Sequence, residues 1–254
     1  MDVVMYDPLE TELSRKEMDK LIVECRRLGV EIAIIGGWAV WFHVNPLYNL
    51  SFGKPYIESR DINIFFYKKD DIKLLKIIKS MGFIANRLPN RWVKFYDREK
   101  KQFISEDEQK QKSPYNILCI FLDLFSNEKS TAIESWCDLE PLKPPSIVKI
   151  NNYDTVDLET LIELKCIAMA KRERSDKEPK DACDLYALLE YGNKKIKVTK
   201  NLIPAIERLL NRQDLSNIIA QSVLLDIGKQ NLVINSLQTK LRKLVDEGFI
   251  ESKS

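Results

Sequence analysis

An α/β domain followed by an all-helical domain is the fold class this sequence predicts, and three observations predict it. Over the first 150 residues, short apolar runs bounded by turn residues alternate with amphipathic stretches. From Asp157 onward every periodic segment has the spacing of a helix. Between them, from Pro144 to Asp157, lies a stretch with no helical period. The expected domains are therefore 1–150 and 151–254. At 254 residues, 44% hydrophobic and 31% charged, the chain has ordinary globular composition and enough length to bury a core.

The elements follow in order. Met18, Leu21, Ile22, Cys25 and Leu28 form a helical stripe, with Ser14 as the expected N-cap and Gly29 as the stop. Glu31 to Ile35 reads as a short buried strand ended by Gly36-Gly37, and Trp38 to Val44 as the opening of a helix. Asn45 to Lys54 is turn-rich and is expected to be a loop. DINIFFY (61 to 67) reads as a strand, Asp71 to Met81 as a helix, and Gly82-Phe83 as the start of an extended segment. Arg91 to Tyr96 and Gln102 to Ile104 pair as a hairpin, within an Arg98 to Lys112 stretch so charged that an exposed loop is expected there. Ile117 to Phe125 reads as a central strand. Helical periods then run over 158–174, 179–190, 201–212, 215–225 and 232–247, with Ser175 and Glu178 spaced as a capping box.

Composition excludes several chemistries. Forty Lys and Arg against 38 Asp and Glu give a net charge of +2, which is no general nucleic-acid footprint. The five cysteines, Cys25, Cys119, Cys137, Cys166 and Cys183, are odd in number and never spaced C-x-x-C, so zinc-ribbon and disulfide frameworks fall away and they read as small core residues. The single histidine, His43, leaves no room for multi-histidine metal chemistry. No signal peptide and no membrane-length apolar run is visible, so a cytoplasmic protein is expected.

Glycine is scarce, eight in all or about 3% against a usual ~7%. Two of the eight stand consecutively between a strand and a helix, where backbone amides approach a phosphate closely. A tight turn without a ligand explains the pair equally well. Neither G-x-G-x-x-G nor G-x-x-x-x-G-K can be written, because the next glycine is Gly53. Asp61 and Asn63 share one face of their strand, and Asp123 sits mid-strand in ILCIFLDLF, where a buried carboxylate needs a partner. That partner is either a divalent cation, held by Asp61, Asn63 and Asp123 as an oxygen-ligand Mg²⁺ site, or a neighbouring Lys or Arg.

The order of IIGGWAVWFH (34 to 43), SRDINIFF (59 to 66) and LDLF (122 to 125) resembles the nucleotidyltransferase fold of the polymerase-beta type, and implies a mixed sheet. LETLIELKCIAMAKRERSDKEPKDACDLYALLE (158 to 190) resembles the helical segment of the AbiEii group, nucleotidyltransferase-like toxins of type IV toxin–antitoxin systems. The resemblance implies that Gly36, Gly37 and Ser59 hold nucleotide phosphates and that Asp61 and Asp123 hold Mg²⁺ or Mn²⁺. It further implies that Lys165 and Arg172 grip the triphosphate, with Lys180, Asp181 and Asp184 in support. Asn63 stands where the family usually has its second aspartate, and Ile57 where an arginine often stands.

Two functions follow from the resemblance. One is Mg²⁺-dependent transfer of NMP from an NTP to an acceptor hydroxyl on tRNA, a protein or a small molecule, with an antitoxin as partner if the chain is a toxin. The other is a degenerate member that binds nucleotide or RNA without turnover, which Asn63 favours.

Overall fold

The computed structural model describes residues 6–88, 90–133, 141–172, 175–197, 199 and 201–251. The expectations for Cys137, Glu173 and Arg174 lie outside these residues. In chain order the elements are α1 (Pro8–Arg27), β1 (Ile32–Ile35), α2 (Gly36–Phe52), β2 (Asp61–Phe66), α3 (Asp71–Ser80), β3 (Ile84–Ala85), β4 (Arg91–Asp97) and β5 (Gln102–Ile104). They continue with α4 (Glu106–Lys110), β6 (Ile117–Ser126), β7 (Ile147–Ile150), β8 (Tyr153–Val156), α5 (Leu158–Lys171) and α6 (Glu178–Tyr191). The last are β9 (Lys195–Lys197), α7 (Leu202–Asn211), α8 (Gln213–Ser222), α9 (Gln230–Glu247) and β10 (Phe249–Glu251).

Among the described residues one unit is built from Tyr6–Trp38 and Glu58–Thr155, and a second from Ala39–Ile57 and the residues from Val156 on. The sheet of the first unit has the order β3-β4-β6-β2-β1-β8-β7, with β5 on the outside of β4. It is mixed: β1 and β2 are antiparallel, β2 and β6 parallel, β4 and β6 antiparallel, β1 and β8 parallel. Alternation along β2 buries Ile62 and Ile64, and β6 buries Leu122 and Leu124. The opposite, less apolar positions are Asp61, Asn63 and Asp123, and this register positions the candidate site. The second unit is helical apart from the β9–β10 pair. Leu161, Ile162, Leu185, Leu188, Ile206 and Ile219 are fully buried in it. Among the described residues no helix is long and apolar enough to cross a membrane.

Local chemistry explains where the elements depart from expectation. α1 starts earlier than Ser14: Pro8 occupies its first turn and the Asp7 carboxylate accepts from the Leu9 amide at 2.8 Å. Ser14 is instead a buried helix residue whose Oγ accepts from the Trp38 indole at 3.0 Å. Trp38 is wholly buried there. The loop expected over 45–54 is mostly helix, because α2 continues through Pro46 to Phe52 and stops at Gly53, whose φ is +67°. An interior proline costs a helix about 3 kcal/mol, and here aromatic burial offsets it. Tyr48 packs on Phe52, Tyr56 and Tyr191, and its hydroxyl donates to the Val223 carbonyl at 2.7 Å.

The charged 98–112 stretch is exposed but regular rather than a loop. It carries β5 and α4, and α4 is started by a capping box between Ser105 and Glu108. The box expected at Ser175 does not form: Lys177 stands at the N-cap of α6 without a side-chain capping bond. Glu178 is buried instead, bonded to Arg208 and 3.5 Å from Arg212. Desolvating Glu178 without those guanidiniums would be unfavourable, so the ion pair decides its orientation.

Candidate functional site

The first cluster lies within the sheet unit, at the junction of β1 and α2. Gly36 has φ +66° and opens α2, a 17-residue helix with no acidic residue in its first turn. A β-carbon on Gly36 would stand 2.9 Å from Asn63 Nδ2, and one on Gly37 would stand 2.6 Å from Ser59 Oγ. Both glycines therefore make room for side chains arriving from β2 and the segment before it. Ser59 Oγ donates to the Asp61 carbonyl at 3.0 Å, and Asn63 Nδ2 donates to the same oxygen at 3.3 Å. Gly36, Gly37, Ser59, Asn63 and Asp61 are thus brought together.

Asp123 joins them by register, since it is the β6 partner of Asn63. Its β4 partner is Arg91. The Arg91 guanidinium donates two bonds to Asp123, Nε to Oδ1 and Nη2 to Oδ2, both at 2.6 Å. The same Nη2 lies 3.6 Å from Asp61 Oδ2, and the Arg91 guanidinium carbon stands 4.6 Å from the centre of the Phe121 ring. Arg60 approaches Asp61 Oδ1 at 3.8 Å. The hydrogen bonds to Asp123 outweigh burial and raise the Arg91 guanidinium above its already high value. Bidentate pairing of this kind is the strongest form of carboxylate–guanidinium contact. Arg91 was not singled out in the sequence. Its only signal is its place at the start of a strand, which turns informative once β4 is known to pair with β6.

The set as arranged does not fit a divalent cation. Mg²⁺ requires near-octahedral oxygen ligands, whereas both oxygens of Asp123 are engaged by Arg91. Asn63 supplies an amide turned towards Gly36 and the Asp61 carbonyl. Two guanidiniums already balance the two carboxylates. Among the described residues no group of three or more His, Cys, Asp or Glu side chains is placed to hold a metal.

The second cluster belongs to the helical unit. Lys165 Nζ lies 2.9 Å from Asp181 Oδ1 and 2.6 Å from Asp184 Oδ2. Arg172, just past the end of α5, reaches Asp181 Oδ2 at 3.0 Å, and Lys180 bonds Asp184 one turn along α6. The Tyr56 hydroxyl donates to Asp184 Oδ1 at 3.0 Å. All five residues expected to act together are brought together, with Tyr56 added. Three cations face two carboxylates, and the excess charge sits with Arg172, whose side chain is 46% exposed. Burial alone would lower the Lys165 ammonium, but the charges of Asp181 and Asp184 override it and raise it. Burial would likewise raise Asp181; Lys165 and Arg172 override it and hold the carboxyl below its ordinary 3.8.

The sign of the resulting pH dependence is fixed. A carboxyl depressed in the fold stabilises it fully above its unfolded value and loses that stabilisation as pH falls through the folded one. A raised lysine stabilises below its unfolded value and loses this as pH rises. Thermal stability is therefore expected to fall below about pH 4, with a shallower acid slope in Asp181→Asn than in the wild type. Equal slopes in the two proteins would remove Asp181 from this linkage.

His43 lies in α2, within the helix expected to open at Trp38, with Nε2 at 2.8 Å from the Val156 carbonyl. Burial lowers its pKa below the ordinary 6.5. Of the cysteines, Cys25, Cys166 and Cys183 are buried and Cys119 partly so.

Several solved structures share backbone similarity with the chain, among them these three. JHP933 from Helicobacter pylori is 14% identical over 95% of this chain and 95% of that one, with a TM-score of 0.49. An antigenic nucleotidyltransferase-like protein from Paracoccidioides brasiliensis is 16% identical over 86% and 95%, at 0.43. ANT(2")-Ia in complex with adenylyl-2"-tobramycin is 11% identical over 88% and 96%, at 0.39. No protein-family model matches the chain, and no curated protein matches it. These likenesses are distant, and the functional reading rests on the residues themselves.

Proposed function

We propose that the chain binds the phosphates of a nucleoside triphosphate at the β1–α2 turn, as a nucleotidyltransferase-like protein that holds nucleotide without transferring it. The observation that carries this reading is the Gly36-Gly37 opening of α2. Its first-turn amides are the positive end of a long helix, no acidic residue stands in that turn, and Ser59 and Asn63 flank it. With Arg60 and Arg91 balancing Asp61 and Asp123, the neighbouring strand ends do not repel a polyphosphate. ATP, GTP, CTP and UTP are each added in EDTA while unfolding is followed by thermal shift. At least one is expected to raise the transition, a ligand at 100 times its Kd contributing about 2.7 kcal/mol. Arg60→Glu, at a partly exposed position, is expected to abolish most of the shift. Absence of a shift with all four triphosphates would sink the proposal.

Mg²⁺- or Mn²⁺-dependent NMP transfer in the manner of the AbiEii group is the second reading. It is favoured by the convergence of Lys165, Arg172 and Lys180 on Asp181 and Asp184. In it Arg172, the exposed member, meets the triphosphate, the acceptor is a tRNA, protein or small-molecule hydroxyl, and an antitoxin is the partner. Incubation with each α-³²P-labelled NTP, metal, total tRNA and lysate discriminates the two. A labelled band that Asp61→Ala removes would replace the first reading with the second.

A further inference from the structure

The geometry points to Arg91 as the resident cation of the Asp61–Asp123 pair, standing in place of a divalent metal and closing the site to one. Three independent contacts fix its guanidinium: both oxygens of Asp123 at 2.6 Å, Asp61 at 3.6 Å and the Phe121 ring at 4.6 Å. The side chains of Arg91, Asp61 and Asp123 are 15%, 16% and 11% exposed, so the cation is held in a largely desolvated setting. A planar guanidinium in a bidentate pair cannot be displaced by a weak contact. A divalent ion entering here would stand beside a fixed positive charge at van der Waals distance, an unfavourable Coulomb term at any plausible protein dielectric.

Asn63 fits the same arrangement. An aspartate there would add a third negative charge that Arg91 and Arg60 could not balance, whereas the amide is neutral and donates to the Asp61 carbonyl. The neutral amide of Asn63 and the guanidinium on Asp123 thus keep the charge of this cluster balanced.

The test needs no nucleotide, so its outcome is separable from the reading above. Mn²⁺ is titrated with full-length protein and the free ion followed by electron paramagnetic resonance. Wild type is expected to leave the free signal undiminished. Arg91→Gln, which keeps a polar side chain at this position but removes the charge, is expected to take up one Mn²⁺ per chain, at least about tenfold more tightly than wild type. Adding Asp123→Asn to that variant should erase the gain, and Arg91→Lys should show none. Wild type that binds one Mn²⁺ per chain in an Asp123-dependent way would overturn the inference. So would a folded Arg91→Gln protein that binds no better than wild type. The wild-type measurement decides the question even if the variant does not fold.

Discussion

Asp184→Ala is expected to destabilise the protein by about 3–5 kcal/mol, the range for removing one partner of a buried ion pair. Asp184 is wholly buried and receives Lys165 at 2.6 Å, Lys180, and the Tyr56 hydroxyl at 3.0 Å. Its removal leaves the ammonium groups of two buried lysines, with Asp181 as the remaining carboxylate of the cluster, and Asp181 is shared with Arg172. Tyr56 also loses its acceptor. At roughly 2–4 °C per kcal/mol for a chain of this size, the transition should fall by on the order of 6–20 °C. Asp184→Asn keeps the volume and an acceptor for Tyr56 while removing the charge, so it should fall between wild type and alanine. Arg172→Ala is the contrast: its side chain is half in water, and a pair of that kind is worth about 1 kcal/mol or less. A loss under about 1 kcal/mol for Asp184→Ala would mean that the lysines find water on its removal. The cluster would then be an accessible binding site rather than a buried brace.

The contrast between these residues shows what could be read from the chain and what could not. Asp61, Asn63 and Asp123 were legible because strand alternation puts polar residues on one face, and a carboxylate inside ILCIFLDLF is costly enough to demand a partner. Which partner it has was not legible. Arg91 is 32 residues away, and only the β4–β6 register, set by packing along seven paired positions, places it opposite Asp123. Lys165, Arg172, Lys180, Asp181 and Asp184 were legible only through the resemblance of the 158–190 segment to a known helical segment, because helical spacing alone reads those cations as a solvated face. Tyr56 could not be found, because it reaches Asp184 across 128 positions from a segment without periodicity. Pro46 misled for the same reason. A proline is a local signal against helix, whereas the four-ring packing of Tyr48, Phe52, Tyr56 and Tyr191 that sustains α2 is not local. Ser14 and Ser175 fit capping spacings, but a cap forms only where the helix actually starts.

Gly36→Ala is the second large effect expected, about 2–5 kcal/mol, and it separates two reasons for the glycine pair. One is backbone: φ at Gly36 is +66°, where an L-residue loses roughly 1–2 kcal/mol. The other is space: a β-carbon would press on Asn63 at 2.9 Å from Nδ2, 3.0 Å from Cγ and 3.1 Å from Cβ. Overpacking of that kind adds about 1–3 kcal/mol. A double-mutant cycle with Asn63→Ala resolves the two, because truncating Asn63 relieves the crowding and leaves the backbone strain. In the Asn63→Ala background the alanine at 36 should therefore lose only the backbone share, about 1–2 kcal/mol by chemical denaturation. Equal losses in both backgrounds would mean that Asn63 rotates aside freely, and its contact with the turn would then carry no weight. The same four proteins serve the functional question. If the turn holds phosphate, nucleotide should still raise the transition of Asn63→Ala, because the helix amides remain. It should fail to raise that of Gly36→Ala even at temperatures where the variant is folded, since the added methyl presses on Asn63 beside the turn that carries those amides. A glycine pair kept only for the turn would leave the nucleotide response of both variants alike. The stability cycle and the binding cycle are thus independent, and the point at which they diverge distinguishes a turn from a site.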